Sequence, residues 1–435
     1  MSIKKVIPRL PSGFKELLPS HQVIFEKFKR QISSTYESLG YIPLETSNLE
    51  LTEVLLAKGG GETEKQVYSF TKGKNNLTLR YDLTVPLARY VSQNYSQLTF
   101  PFKRYQIQKV WRAEKAQKGR SREFYQCDVD ILGNTSVVAD ADSVFAVYSA
   151  LKSLNIPKFT ISINNRKLVK EILSFLEVGE QSTEILRIID KLSKIGKSSA
   201  IEQLNTLVKD REKSLKILDT FTLKGDFMKI ESIIKECSLE GSEGATELQS
   251  LYNLLISMGI DPDYLEIDLS VVRGLDYYTS SVFETFIDIA VNYGSIASGG
   301  RYDDLVNYYS NQRLPGVGMS IGLTRLFEVL LELGTLPEVS AVSTRVLVCA
   351  LSEEFNSLSA EILTKLRKEN INSQVYLGKN LSLNKQLDYA NKSKIPYVVI
   401  LGEDEIKSGL VTIKNMESGE QKTINLEETI SLLQS

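Results

Sequence analysis

Two periods of apolar spacing alternate along the 435-residue chain, and the points where they change divide it. Ile24, Phe28, Ile32, Tyr36 and Leu39 recur at helical spacing, with Ser20 as N-cap and Gly40 as the stop. Residues 41–45 follow as a short strand. Residues 67–70 and 77–80 read as strands around Lys72-Gly73-Lys74-Asn75. Continued alternation places Arg80, Asp82 and Thr84 on one face, and residues 86–95 turn helical. Two runs, 102–112 and 124–133, then predict a hairpin rich in Tyr, Ile, Val and Trp. In its second strand Gln126, Asp128 and Asp130 point one way, and Tyr125, Cys127, Val129 and Ile131 the other. A helix over 139–154 and a strand over 159–163 complete this part.

From about 165 to 259 the helical period takes over. Leu168, Val169, Ile172, Leu173 and Leu176 form one stripe, and Ile185, Ile188, Ile189 and Leu192 another. No strand alternation competes there. Strand patterns return over 265–272 and 281–287, and 321–330 predicts a helix. Residues 337–344, with Pro337, Ser340 and Ser343, read as a linker. Beyond it strands and helices alternate: 345–350, 354–368, 374–377, 383–391 and 397–401, then a hairpin pair around Ser418-Gly419. Such alternation implies a partly parallel sheet with covering helices. The division is thus 1–336 with a helical insertion at about 165–259, a linker at 337–344, and a smaller domain at 345–435.

Composition adds mainly exclusions. Hydrophobic residues make up 42% and charged residues 24%, as in an ordinary globular protein. The net charge of −2 gives no global signal for nucleic acid, so an RNA partner would need local basic surface. Cys127, Cys237 and Cys349 lie far apart and lack metal-ligand spacing, which favours a reducing compartment and no structural zinc. His21 is the single histidine, so chemistry that needs a catalytic histidine is disfavoured. No apolar run approaches membrane-spanning length, and the N-terminus does not read as a signal peptide. Gly59-Gly60-Gly61 lacks the Lys-Ser/Thr of a phosphate loop and reads as a mobile loop.

Chemistry concentrates in the hairpin. Acids line one face of a strand, Arg112 ends its partner, and Lys115, Lys118, Arg120 and Arg122 fill the loop. A ligand both cationic and phosphorylated would suit that arrangement, although a solvated surface hairpin has the same pattern. A carboxylate and a hydroxyl two residues apart, Asp82 and Thr84, suit an ammonium group.

The stretch FKRYQIQKVWRAEKAQKGRSREFYQCDVDILG, residues 102–133, resembles motif 2 of the class II aminoacyl-tRNA synthetases, and among them the histidyl-tRNA synthetases. RGLDYY at 273–278, SGGRYD at 298–303 and GVGMSIGLTR at 316–325 resemble further segments of that family, in its order. The resemblance runs from Pro11 to about Leu426. It implies an α+β fold: an antiparallel sheet flanked by helices, a helical insertion that reaches tRNA, and a C-terminal α/β anticodon-binding domain. The 20–45 segment is similar to motif 1, which implies a homodimer.

The resemblance also implies the reaction and the roles. Histidine and ATP, with Mg2+, would form histidyl-adenylate, and the histidyl group would pass to the 3′ end of histidine tRNA in the cytoplasm. Arg112 and Arg273 would be catalytic, on opposite sides of the α-phosphate. Asp82, Leu83, Thr84, Arg112, Gln126, Asp130, Arg273, Tyr277 and Tyr278 would bind histidine, with Asp130 and Tyr278 reading the imidazole nitrogens. Arg112, Glu114, Phe124 and Arg325 would hold ATP, the Phe by stacking on adenine. Lys115, Gln117 and Lys118 would meet tRNA, although Lys115 stands where Arg is usual. No protein metal ligand is implied. The alternative is a catalytically silent relative, the regulatory subunit of ATP phosphoribosyltransferase. Such chains usually lack the C-terminal module and parts of the motif set.

Overall fold

The computed structural model describes residues 6–57, 64–115, 119–272, 278–336 and 342–434. The chain divides into two units. The larger takes Phe28–Pro337 with the N-terminal segment ending at Lys15; the smaller takes Glu16–Lys27 with Glu338–Ser435.

Among the described residues of the larger unit lies a nine-stranded sheet. Its centre is the expected hairpin, Phe102–Trp111 against Glu123–Leu132, antiparallel through ten residues. Gly316–Gly322 pairs antiparallel with the second hairpin strand; Ala297–Tyr302, Ser281–Ile287 and Phe159–Asn165 follow in order, all antiparallel. Ile42–Pro43 adds parallel at one end and Leu265–Asp268 parallel at the other.

The alternation of the hairpin decides its two faces. Cys127, Val129 and Ile131 are buried on the apolar side, where the helices Val137–Ser153 and Leu323–Glu332 pack. Arg104, Gln106, Asp128 and Asp130 are buried too, on the other side. A buried polar face must find partners, because an unpaired buried charge costs several kcal/mol, roughly. One end of that face is closed by helix Thr84–Gln93, whose Val85, Leu87, Ala88 and Val91 join Phe102, Leu132 and Tyr302 in an apolar cluster.

Several elements differ from the sequence reading. The first helix is Pro19–Ser38, so Ser20 lies inside it rather than capping it. Proline suits a first helical position, where its missing N–H would have no intrahelical partner. The strand before the site ends at Leu79 and Thr84 starts a helix, so Arg80, Asp82 and Thr84 do not share a strand face. Ile321 belongs to strand Gly316–Gly322, and the helix begins at Leu323.

The insertion holds six α-helices among its described residues, from Arg166–Phe175 to Glu243–Ser257. Asn165, Asp210, Asp226 and Ser242 cap four of them through their side chains. Lys224–Gly225 departs from the all-helical reading and forms a short strand against Leu265–Asp268.

In the smaller unit Ser373–Val375, Val346–Ala350 and Tyr397–Leu401 run parallel, and Val411–Asn415 and Gln421–Ile424 add antiparallel. Val346 and Val348 join one core with Ile362, Leu366 and Leu433. Leu347 and Cys349 join another with Ala390 and Ile395. The strand is apolar on both faces because helices cover both. Two short helices, Glu403–Ser408 and Leu426–Gln434, were not expected.

Candidate active site

Residues opposite one another in paired strands share a face, so the floor of the site can be read as rows across the sheet. Arg104, Asp130, Gly318 and Gly300 form one row; Gln106, Asp128, Ser320 and Ser298 form the next. The glycines leave room for their neighbours. A Cβ on Gly318 would stand 2.1 Å from Asp130 Oδ1, and one on Gly316 would stand 2.5 Å from the Tyr302 ring. Glycine within a strand marks such a close approach.

Asp130 is clamped on both oxygens. Arg104 Nη2 pairs with its Oδ2 at 2.6 Å, and the Tyr302 hydroxyl donates to its Oδ1. Arg104 is itself fully buried and donates to Gln106 Oε1 at 3.1 Å and the Leu83 carbonyl at 3.4 Å. Burial raises the Asp130 carboxyl above the usual aspartate range, against the pull of Arg104. The same burial, with the Asp130 charge beside it, pushes the Tyr302 hydroxyl well up and keeps it a donor.

Asp82 sits at the start of helix Thr84–Gln93, where its Oδ1 accepts the Val85 N–H at 3.1 Å. Burial lifts its carboxyl to about 6, opposed by that hydrogen bond and by Arg112. Arg80 is fully buried away from the site, donating to the Lys109 and Thr46 carbonyls at 2.9 and 2.8 Å and to Gln108 Oε1 at 2.7 Å. Burial brings it down to about 10, so it stays cationic at neutral pH.

A cavity of about 240 Å³ opens over this floor, lined by Asp82, Thr84, Gln126, Asp130 and Tyr278 among others. A second, of about 290 Å³, adjoins it and is lined by Glu114, Lys115, Phe124 and Arg325. Arg112, Gln126, Ser298 and Ser320 line both. Arg112 is fixed by an Nε–H to the Tyr81 carbonyl at 3.0 Å and lies 5.2 Å over the Phe124 ring. Arg325 reaches the far cavity from the first turn of its helix, bonding the Gly119 and Ser295 carbonyls at 3.0 and 2.7 Å.

Most of the sequence-derived site residues therefore converge on two adjoining cavities. Leu83 is different: its side chain is fully buried, and its carbonyl supports Arg104. Arg122 of the basic loop is engaged with the Glu114 and Ser12 carbonyls, and Arg120 with Glu114. Arg273, Tyr277, Gln117 and Lys118 lie outside the described residues, as does the Gly59-Gly60-Gly61 loop. The sequence reading did not single out Tyr302, Ser298 or Ser320. Their signal was the pair of glycine-bearing strands, SGGRY and GVGMS, whose alternation places them on the floor.

Residues 13–326 match the family model for histidyl-tRNA synthetase, and residues 345–435 match that for an anticodon-binding domain. The chain is 45% identical to the histidine–tRNA ligase of Clostridium tetani, over 99% of each chain. It is 41% identical to that of Finegoldia magna, over 98% of this chain and 99% of the other. A crystal structure of histidyl-tRNA synthetase from Nostoc sp. PCC 7120 superposes with a TM-score of 0.90 at 34% identity, covering 98% of this chain and all of that one. The chain belongs to the histidyl-tRNA synthetase family.

Proposed function

We propose that the chain activates histidine with ATP and transfers it to the 3′ end of histidine tRNA. The observation that carries this reading is the shared wall of the two cavities. The acid-floored cavity suits an amino acid with an ammonium group and an imidazole; the arginine-flanked cavity suits a nucleotide triphosphate. Arg112 stands where they meet. A substrate carboxylate oxygen there attacks the α-phosphorus, the bond to the bridging oxygen breaks, and pyrophosphate leaves. The nucleophile belongs to the substrate, so the protein's part is positioning and stabilisation of charge on the α-phosphate. Arginine suits this because its fork is permanently charged and bidentate.

Arg112 and Arg273 flank the α-phosphate, Arg325 holds the γ-phosphate end, and Glu114 and Phe124 hold adenine. Mg2+ enters with the nucleotide as part of that substrate. Asp82, Thr84 and Gln126 take the ammonium; Asp130 and Tyr278 read the imidazole, with Tyr277 shaping the pocket. In the second step a ribose hydroxyl of the tRNA attacks the carbonyl carbon and AMP leaves. Lys115, Gln117 and Lys118 contact the acceptor end, and residues 345–435 read the anticodon. The enzyme acts as a homodimer built on the Pro19–Ser38 helix and the strand after it, where Ile42 is half exposed. A cytoplasmic location fits three buried cysteines without disulfides. Among the described residues, no helix is long and apolar enough to cross a membrane.

The regulatory-subunit alternative is less supported, since relatives covering nearly the whole chain are named ligases and the C-terminal module is present. The test is charging: labelled histidine should become attached to histidine tRNA in the presence of ATP. Tight histidine binding without charging would favour the alternative.

A further inference from the structure

Three acceptor atoms on the floor have no hydrogen-bond partner among the described residues, and two of them, Asp128 Oδ1 and Gln126 Oε1, lack the ion pair that Asp130 Oδ2 makes with Arg104. Both residues line the amino-acid cavity, and Asp128 is only 3% exposed. The orientation of the Gln126 amide follows from Ser320 between them. Ser320 stands directly across from Asp128 on the neighbouring strand. Gln126 Nε2 donates to Ser320 Oγ, 2.9 Å away. That leaves the Gln126 carbonyl oxygen facing the cavity.

The surrounding cations are each held elsewhere, although Arg80 Nη2 and Arg104 Nε keep no hydrogen-bond partner among the described residues. Arg104 pairs with Asp130, Arg80 is turned to backbone carbonyls and Gln108, and Arg112 donates its Nε–H to Tyr81. Burial raises the Asp128 carboxyl, with Arg104 the largest opposing influence. An unmatched buried acceptor costs about 1–3 kcal/mol, so a pair of them marks a place where a ligand brings donors. The two side chains leave one face of one strand two residues apart, about 7 Å along it. A primary ammonium brings three N–H donors and a positive charge, and no acceptor.

We infer that Asp128 is a further substrate-binding residue, whose Oδ1 accepts from the α-ammonium of the amino acid together with Gln126 Oε1. This rests on the proposed amino-acid cavity and adds a second carboxylate to Asp82 there. The imidazole is left to Asp130, whose carboxylate is already oriented by Arg104 and Tyr302.

The test is calorimetric binding of three ligands to wild type and Asp128→Asn: histidine; histamine, which keeps the ammonium; and imidazolepropionate, which lacks it. Asp128→Asn should weaken histidine and histamine alike by about 10- to 100-fold, the range for a hydrogen bond to a charged group. Imidazolepropionate should bind both proteins within about twofold, and the KM for ATP in pyrophosphate exchange should hold. Equal weakening of all three ligands would place Asp128 against the imidazole and overturn the inference; so would unchanged histidine binding. Asp128→Ser should repeat the pattern if the Asn variant folds poorly. Failure of wild type to bind histidine at all would instead refute the amino-acid cavity itself.

Discussion

At the scale of single residues, the site keeps carboxylates where burial disfavours their charge. Asp82 shows the consequence most clearly. Its folded carboxyl holds a proton up to about 6, while an unfolded aspartate loses it near its ordinary value of about 4. Between those values the folded state binds more protons, so stability falls as pH rises through the window and stays lower above it. The ionised group costs on the order of 3 kcal/mol. Asp82→Asn keeps an oxygen for the Val85 N–H and removes the charge. It should unfold at a higher temperature than wild type at pH 7.5, the gap closing towards pH 4, while histidine activation falls by about 100-fold or more. A variant no more stable than wild type at pH 7.5 would contradict this account of Asp82.

Residue placement was legible where a short motif carried it, as for Arg112, Gln126, Asp130 and Arg325, all of which line the cavities. It was hidden where partners come from distant strands. Nothing near Asp130 in sequence announces that Arg104 and Tyr302 hold its two oxygens. Asp82 and Thr84 were matched to one ligand through strand alternation, yet a helix start brings them to the cavity.

At the scale of elements, glycine-bearing strands shape the pocket and one buried ion pair fastens the sheet to its helix. Gly318→Ala would drive a methyl group into Asp130. Overpacking of this kind costs about 1–3 kcal/mol, so the KM for histidine should rise about 10- to 100-fold with the KM for ATP nearly unchanged. Equal effects on both substrates would show a general distortion. Arg301, which follows the two glycines of SGGRY, serves structure: it binds Asp140 of helix Val137–Ser153 through Nε and Nη2, and the Asn134 carbonyl at 2.9 Å. Breaking such a buried pair costs about 3–5 kcal/mol. Arg301→Met should therefore lower the first thermal transition by several degrees, and adding Asp140→Leu should recover part of the loss. An unchanged transition would mean that the pair adds nothing.

Elements were well read where alternation was long, as in the hairpin, and less well at boundaries. The helix Glu403–Ser408 is short, and its single apolar residue, Ile406, declares no period, whereas Leu426, Ile430 and Leu433 of Leu426–Gln434 carry a helical stripe that the reading passed over. Lys224–Gly225 is a strand only because Leu265–Asp268 lies beside it.

At the scale of the whole molecule, a chain with net charge −2 must grip RNA through local basic surface. The structure narrows the supply, because Arg122 is engaged with the Glu114 and Ser12 carbonyls, whereas Lys115 and Arg120 are exposed. Lys118→Glu should weaken tRNA binding and reduce the slope of log affinity against log salt by about one unit. An identical slope and affinity would show that Lys118 meets no phosphate. The succession of a large α+β unit and a small two-faced α/β unit was readable from periodicity. Assignment of the second to anticodon recognition rests on family resemblance, since its pattern alone fits many small modules.

The central claim is that an acid-floored cavity for histidine meets a nucleotide cavity at Arg112. Exchange of labelled pyrophosphate into ATP, run with each of the twenty amino acids in turn and without tRNA, tests it most directly. The account predicts exchange with histidine alone, and its loss by about 100-fold or more in Arg112→Ala. Exchange driven equally by another amino acid, or none with histidine, would contradict it.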